Sequence, residues 1–450
     1  MHITEPARQT PLHGEYDVVV LGGGPAGLLA AVSAARNGAS VLLVERYGFL
    51  GGMGTAAGVS NFCGLHANVR GTIRQVVHGM TDELLDRMRA LDGLNEPHLI
   101  LGKIHAQAYD ISALKCAADG LLRDSGAGVL FHALATGMAR GADGDVDTLF
   151  LETKSGRRAV RGRVFIDCSG DADLAAWAGL PFEKGDAHGG MLYPTLMFKV
   201  GNVDGARAQE AWKTIPALMD AAAASGEFTF PRRGAIVRPQ KHDYEWRVNV
   251  TQLADADGGA ADGTDAESLS AGELEGRRQI VQYLAFLRAK VPGFEQAYVL
   301  DIAPQLGIRE TRRIVGEYML TQDDVLGCAD FDDSIGVNGW PLEMHMAGDV
   351  KWLWPPIPES RGYNQLPYRM MLPRRGAGVA RNVLVAGRCA SMTHEGQSAA
   401  RVSGSCFAMG EAAGAAAALA LKAGTLPAEL PVAVLQARLR EQGAFLGGQD

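Results

Sequence analysis

Gly22, Gly24 and Gly27 stand at the G-x-G-x-x-G spacing directly after the apolar run at residues 18–21. Glycines so placed give a tight turn, let a backbone come close to a pyrophosphate and let the following helix pack on its strand. Eighteen positions after Gly27 comes Glu45. Its carboxylate suits the hydroxyls of an adenosine ribose and repels a 2′-phosphate, which disfavours NADP. Together these residues specify a dinucleotide site. A second group suits anions. Arg309, with Arg312 and Arg313 in GIRETRR, and Arg361, Tyr363, Tyr368 and Arg369 in SRGYNQLPYR, are of the types that clamp a carboxylate. An ion-paired, solvated face is the other reading of the first cluster, and the second reads as a pocket-lining loop.

These residues need elements to hold them. The unalternating, β-branched run at 18–21 predicts a parallel strand buried on both faces. The alanine-rich stretch after Gly24 predicts a helix whose first N–H groups and positive dipole end face the phosphates, stopped by Asn37-Gly38. Residues 40–44 predict a second strand that delivers Glu45. Helical spacing of Val76, Val77, Met80, Leu84, Leu85 and Met88 predicts a core-facing helix over 73–91, and Asp110 opens another that ends at Gly126. A meander follows, returning to a buried strand at 164–166 that runs into Asp167-Cys168-Ser169-Gly170-Asp171. Residues 186–375 are richer in Trp, Pro and Arg, with an exposed loop expected at 254–266. The sheet resumes at 382–387, and a small-residue helix is expected over 397–423.

With 450 residues the chain exceeds one ordinary core, so two joined domains are expected. A formal charge of −8 gives no reason to expect nucleic acid or an anionic membrane as a partner. Cys63, Cys116, Cys168, Cys328, Cys389 and Cys406 are scattered with no C-x-x-C, which argues for a reducing compartment and against a zinc site. The polar start MHITEPARQT offers no secretory h-region, and the longest apolar run, near 412–421, is too short for a membrane span. A cytoplasmic location is the expectation.

GGGPAG with Glu45-Arg46, GFLGGMGT (48–55), FIDCSGDADLAAWAG (165–179), GIRETRRIVGEYMLTQDD (307–324), LPYRMMLP (366–373) and NVLVAGRCASMTHEGQSAARVSGSCFAMGEAAGAAAALA (382–420) occur in that order. The chain thereby resembles the FAD-dependent oxidoreductases of the two-dinucleotide-binding-motif, glutathione reductase-like superfamily. The resemblance implies an α/β fold: a Rossmann-like FAD-binding domain, its parallel sheet covered by helices on one face and a β-meander on the other, with an inserted α+β substrate domain. The FAD-binding domain would comprise 1–72, 104–185 and 376–450, and the substrate domain 73–103 and 186–375. It further implies that Gly22, Gly24, Pro25, Ala26 and Gly27 wrap the pyrophosphate, and Glu45 and Arg46 the adenosine end. Gly51, Gly52, Met53, Gly54 and Thr55 would run past the flavin, Ser169, Gly170 and Asp171 would lie near the FAD, and Gly387 and Arg388 near the ribityl and phosphates. One departure stands out: many relatives place an acid where Arg388 lies, and an arginine suits a phosphate better than a sugar hydroxyl.

A bound flavin carries two-electron chemistry while the protein sets orientation and access. His394, in the loop beside the expected flavin, is the first choice for acid/base work, with plain hydrogen bonding as the alternative. Cys63, in NFCGLH, is a candidate thiolate, with a buried inert thiol as the other reading. A helix opening near 398–403 would stabilise negative charge on the flavin by up to ~2 kcal/mol. No second G-x-G-x-x-G and no C-x-x-x-x-C is present, so electrons come from substrate, from a transiently visiting nicotinamide or from an external partner. Trp352-Leu353-Trp354-Pro355-Pro356-Ile357-Pro358 is similar to a halogenase signature with one residue too many, and reads as packing at the substrate wall. The expected function is hydride transfer between flavin N5 and a small organic molecule, with an acidic one as the narrower expectation. Alternatives are a flavin-dependent monooxygenase or halogenase and a non-catalytic FAD-binding subunit, and self-association is left open.

Overall fold

A computed structural model describes residues 2–376 and 378–448. The elements that position the site are, in chain order, β1 (Leu12–Leu21), α1 (Pro25–Arg36), β2 (Val41–Val44), β3 (Gly128–Leu130), β4 (Leu134–Arg140), β5 (Val146–Thr153), β6 (Gly156–Asp167), β7 (Phe198–Gly201), β8 (Ile236–Pro239), β9 (Trp246–Asn249), α2 (Ala266–Lys290), β10 (Tyr298–Ile302), β11 (Leu342–Met346), β12 (Asp349–Leu353), β13 (Val383–Val385), α3 (His394–Ala400) and α4 (Ser403–Ala423).

The principal sheet runs β3-β2-β1-β6-β5-β4, with β13 pairing β6. β3, β2, β1, β6 and β13 are mutually parallel, while β5 and β4 join antiparallel through the first half of β6. Because side chains alternate along a strand, Val18 and Val20 enter one cluster with α1 and α4. Val19 and Leu21 enter another with Leu149, Leu151 and Val160 of the meander. Both faces of β1 are therefore covered, as its unbroken apolar run requires. The fold is α/β with a Rossmann-like nucleotide-binding sheet.

Close packing of α1 on α4 sets the first helix against the sheet. A Cβ on Gly410 would lie 2.1 Å from the Ala26 carbonyl oxygen, so only glycine admits this approach. By length and composition α4 could cross a membrane, but 83% of its most apolar window is buried inside the protein, as in a core helix.

A second sheet, β8-β9-β7-β10, is antiparallel throughout. One face sends Phe198, Val200, Val237, Trp246 and Val248 into a cluster with Ile280, Tyr283 and Phe286 of α2. The other face carries Arg238, Arg247 and Asn249 toward a cleft.

Two expectations change, and two further segments find their places. The helix expected over 73–91 is only Met80–Ala90, because Thr72–Gln75 pairs as a strand with His66–Val69, and Val76 and Val77 are buried by donating to the Leu65 carbonyl. Met80, Leu84 and Leu85 pack in the same cluster as β1 and α1, as do Leu320, Ile335 and Leu366. The helix expected over 397–423 is broken at Arg401-Val402 into α3 and α4. Gly404 seats there against the Gly64 carbonyl, which a Cβ would meet at 2.2 Å. Arg309, Arg312 and Arg313 are not on a helix, since Arg312–Ile314 is a strand paired with Phe182–Lys184. Finally, the 25-residue α2, capped by Asp265, follows the loop at 254–265.

Candidate active site

A cleft of about 530 Å³ opens between the two sheets. At one end lie Gly22, Gly24, Pro25 and Ala26, then Glu45 and Arg46, then Gly51, Gly52, Met53 and Gly54. Gly22 has φ +93°, and a Cβ there would stand 2.5 Å from the Cys168 carbonyl oxygen. Gly27 lies behind the wall, where a Cβ would collide with the Gly22 carbonyl oxygen at 1.7 Å. Gly24 caps α1 with no side-chain hydrogen bond, which leaves the helix N-terminus to a ligand. Thr55 also sits behind the wall, donating to the Leu50 carbonyl at 2.8 Å.

Glu45 is buried and accepts from the Gly23 N–H at 2.6 Å and the Tyr47 N–H at 2.9 Å. Burial pushes its carboxyl pKa up, against those hydrogen bonds and the Arg46 charge. Each oxygen keeps a second lone pair for a ribose hydroxyl. Across the cleft, Ser169 and Gly170 line the wall, and Gly387 and Arg388 join them from the end of β13.

Asp171 is not in the wall. Its carboxylate takes the Thr311 hydroxyl and an Arg388 N–H, each at 2.7 Å. Arg388 also donates to the carbonyls of Gly170 and Ile308. Three of its donors are thus spent on protein, and its first task is to tie β13 to the turn after β6 rather than to hold a phosphate. Asp173 lines the cleft in place of Asp171. Burial, with Asp171 and Asp167 nearby, lifts its carboxyl to about 6.

At the other end stand Cys63, Arg309, Trp340, Glu343, His345, Arg247, Arg401 and the opening residues of α4, Ser403 and Cys406. Cys63 is no thiolate. Burial, aided by Glu343, pushes its thiol to about 12. Val402 caps α4 without a side-chain bond, and the helix starts at the cleft with the Gly404 N–H donating to the Cys63 carbonyl at 2.9 Å. Arg309 reaches the Tyr193 carbonyl and, at 2.8 Å, the Thr195 hydroxyl.

His394 does not line the cleft. Its Nδ1 lies 2.9 Å from Glu310, which also holds Arg313 in a buried pair. Burial acts to lower the His394 pKa, but the Glu310 hydrogen bond and charge raise it overall. The half-buried ring is paired with Glu310 and anchors the first turn of α3. Nor are Arg361 and Tyr363 at the cleft. Arg361 ties down the carbonyls of Tyr363, Cys328 and Ala329 and pairs with Asp330, while Tyr363 is buried against Phe445.

A histidine and a carboxylate that do line the cleft stand on β11. His345 Nε2 is 3.1 Å from Glu343 Oε1, and the Trp340 indole donates to Glu343 Oε2 at 3.0 Å. Burial and the Arg309 charge drive the His345 pKa well down despite Glu343, so the ring is neutral and Glu343 is ionised. A neutral ring facing a carboxylate carries its proton on Nε2. Nδ1 has no hydrogen-bond partner and offers a lone pair. Glu343 and His345 alternate as i, i+2 on one face of a strand, a pattern that no motif marks.

A family model described as FAD dependent oxidoreductase matches residues 17–439. The chain belongs to that family. FAD is its cofactor, and the cradle fits it: a turn with no room for side chains, an uncapped helix and a buried carboxylate converge on one end of the cleft.

The soluble pyridine nucleotide transhydrogenase of Mycobacterium bovis (strain BCG / Pasteur 1173P2) is 35% identical over 92 residues, 20% of each chain. The dihydrolipoyl dehydrogenase of Trypanosoma brucei brucei is 52% identical over 42 residues, 9% of each. The match thus spans a fifth or less of the length of these two curated relatives. Among solved structures, a geranylgeranyl bacteriochlorophyll reductase-like protein from Thermoplasma acidophilum aligns at 13% identity and TM-score 0.46, over 95% of this chain and 84% of its own. The p-nitrophenol 4-monooxygenase of Pseudomonas putida DLL-E4 gives the same four figures.

In this FAD dependent oxidoreductase the glycine turn and α1 would hold the diphosphate and Glu45 the adenosine ribose, so that the flavin end extends toward His345 and the start of α4. Sequence reasoning located the first end and Cys63 and Arg309 of the second. Trp352 also lines the wall, stacked on Trp354, as the packing reading of that segment expects.

Proposed function

We propose that this oxidoreductase dehydrogenates a small organic molecule bearing an O–H or N–H next to a C–H bond. FAD, held at the glycine turn, α1 and Glu45, would supply two-electron, hydride-accepting chemistry. The observation that carries the reading is the buried Glu343–His345 pair, whose unpartnered Nδ1 belongs to a ring lining the cleft. His345 Nδ1 takes the O–H or N–H proton as the C–H bond gives up its electron pair, and Glu343 stabilises the imidazolium that forms. The positive dipole end of α4, which starts at the cleft, favours negative charge there. An external electron acceptor completes the cycle.

The wider glutathione reductase-like placement belongs to the same reading and rests on the order of the sequence blocks. So does the division into a nucleotide-binding and a substrate-side domain, supported by the separate cluster around α2. A reducing, cytoplasmic setting is supported by six unpaired cysteines. Anaerobic mixing of the FAD-loaded protein with candidate hydroxy acids and amines tests the proposal. Bleaching of the flavin without added reductant is expected. If every candidate leaves it oxidised while an added reductant and oxygen give a hydroxylated or halogenated product, the oxygen-using alternative replaces it.

A further inference from the structure

On the cleft-facing side of the second sheet, Arg238 of β8 and Arg247 of β9 stand directly opposite each other in the antiparallel register. Like charges in that position repel. Arg247 is 4% exposed, its Nε has no hydrogen-bond partner, and one terminal nitrogen donates to the Val59 carbonyl. Arg238 donates to its neighbour's carbonyl at 3.1 Å and lies 5.6 Å from the centre of the Trp212 ring. Among the described residues no carboxylate acts on Arg238, and the charge that does act on it is that of Arg247.

Arg401, at the break between α3 and α4, also lines the cleft with an unpartnered Nε, while a terminal nitrogen donates to the backbone carbonyl of Glu343 at 3.4 Å. Cys63 lies within the electrostatic reach of Arg247, Arg401 and Glu343 together, which puts these groups around one space. The Glu343 carboxylate acts on both Arg247 and Arg401 but is already hydrogen-bonded by His345 and Trp340, so one engaged carboxylate faces two guanidinium groups. Buried, underpartnered guanidinium groups are costly unless an anion meets them. Nothing in the folding of the sheet needs two arginines there. The diphosphate has its own cradle at Gly22 and α1, on the other sheet. Apolar rings adjoin the arginines: Trp340 and Trp352, with centroids 6.0 Å apart, both line the cleft.

We propose that Arg238, Arg247 and Arg401 form an anion subsite that takes the carboxylate of a small aromatic acid, whose ring lies against Trp340 and Trp352 and whose oxidisable carbon is thereby presented to His345. The inference rests on the dehydrogenase reading and narrows its substrate to aromatic carboxylic acids.

The test uses the FAD-saturated protein and isothermal titration with phenylacetate and its neutral counterpart phenylacetamide. Phenylacetate should bind at least tenfold more tightly, about 1.4 kcal/mol, and more weakly as salt is added. Arg238→Gln, at a half-buried position, should cost at least tenfold in phenylacetate affinity and leave FAD retention unchanged. Arg247→Gln should do the same wherever FAD retention shows it to be folded. Equal binding of the two probes, no binding of phenylacetate, or unchanged affinity in Arg238→Gln overturns the subsite. Loss of FAD rather than of phenylacetate also overturns it, by assigning the arginine to the cofactor. Anaerobic mandelate separates the two claims. If mandelate bleaches the flavin equally in wild type and Arg238→Gln, the subsite falls and dehydrogenation stands. If phenylacetate binds as expected while no hydroxy acid or amine bleaches the flavin, dehydrogenation falls and the subsite stands.

Discussion

Glu411 should make the protein less stable as pH rises, and replacing it with glutamine should remove that loss. The residue lies on α4, the helix whose first turn lines the cleft, and is 2% exposed. Oε2 accepts from the Met80 N–H at 3.1 Å, and Oε1 has no partner. Burial, with Asp82 nearby, raises its pKa from 4.5 to about 8. In the unfolded chain the carboxyl ionises near 4.5, while in the folded protein it keeps its proton until about 8. Folded-state stability is therefore intact below the lower value and declines by about 1.4 kcal/mol per pH unit between the two. At pH 7 the accumulated loss is on the order of 3 kcal/mol, levelling off above pH 8 at about 5 kcal/mol.

Glu411→Gln keeps the shape and the carbonyl that accepts from Met80, and its amide adds one N–H to the single O–H of the protonated acid, a cost that does not change with pH. Relative to the difference between the two proteins near pH 4.5, the variant should gain on the order of 3 kcal/mol by pH 7, which for a chain of this size is roughly 3 °C in Tm. Thermal unfolding of both proteins, saturated with FAD, across pH 5 to 8 measures the difference directly, because contributions from other groups cancel. Parallel pH dependence in the two proteins would refute the reasoning and show that Glu411 ionises in the fold without penalty.

Three other sites give sharp outcomes. Glu45→Ala should weaken FAD binding at least tenfold, about 1.4 kcal/mol, and equilibrium dialysis of the apoprotein checks it. Gly410→Ala drives a methyl into the Ala26 carbonyl, so it should lower stability by about 3 kcal/mol or more and release FAD as α1 shifts, read by urea unfolding and flavin fluorescence. His345→Asn should cut kcat by about 10²–10⁴ with little change in flavin absorbance. Because burial holds His345 well below its ordinary value, the wild-type rate should fall only on the acid side of pH 6.5, and a rate still climbing above neutrality would count against His345 as the base.

The nucleotide end was legible because its determinants are short-range. Strand, glycine turn, helix and Glu45 lie within residues 16–45, and the Cβ clash at Gly27 involves the carbonyl of Gly22, five residues away. A local constraint of that kind leaves a spacing in the sequence. Asp110 and Gly126 were readable as helix ends for the same reason, one accepting the Ala113 N–H and the other adopting φ +82°. The helix misread at 73–75 had the right apolar residues, and strand pairing with residues 66–69 overrode their spacing.

The substrate end left no such trace. His394 and Arg361 looked catalytic by type and neighbourhood, yet one is neutralised by Glu310, far away in the chain, and the other is spent on carbonyls around residue 329. Glu343 and His345 looked like two polar residues of an ordinary strand until Trp340, Arg309 and the start of α4 closed around them. The sequence by itself determined the glycine turn, the helix that follows it and the place of Glu45 at the end of the second strand, since contacts over a few residues dictate that geometry. Which side chains meet at the reacting end was decided only by tertiary packing. Burial and the charges of distant segments set protonation states there, and neither is a property of any local stretch of chain.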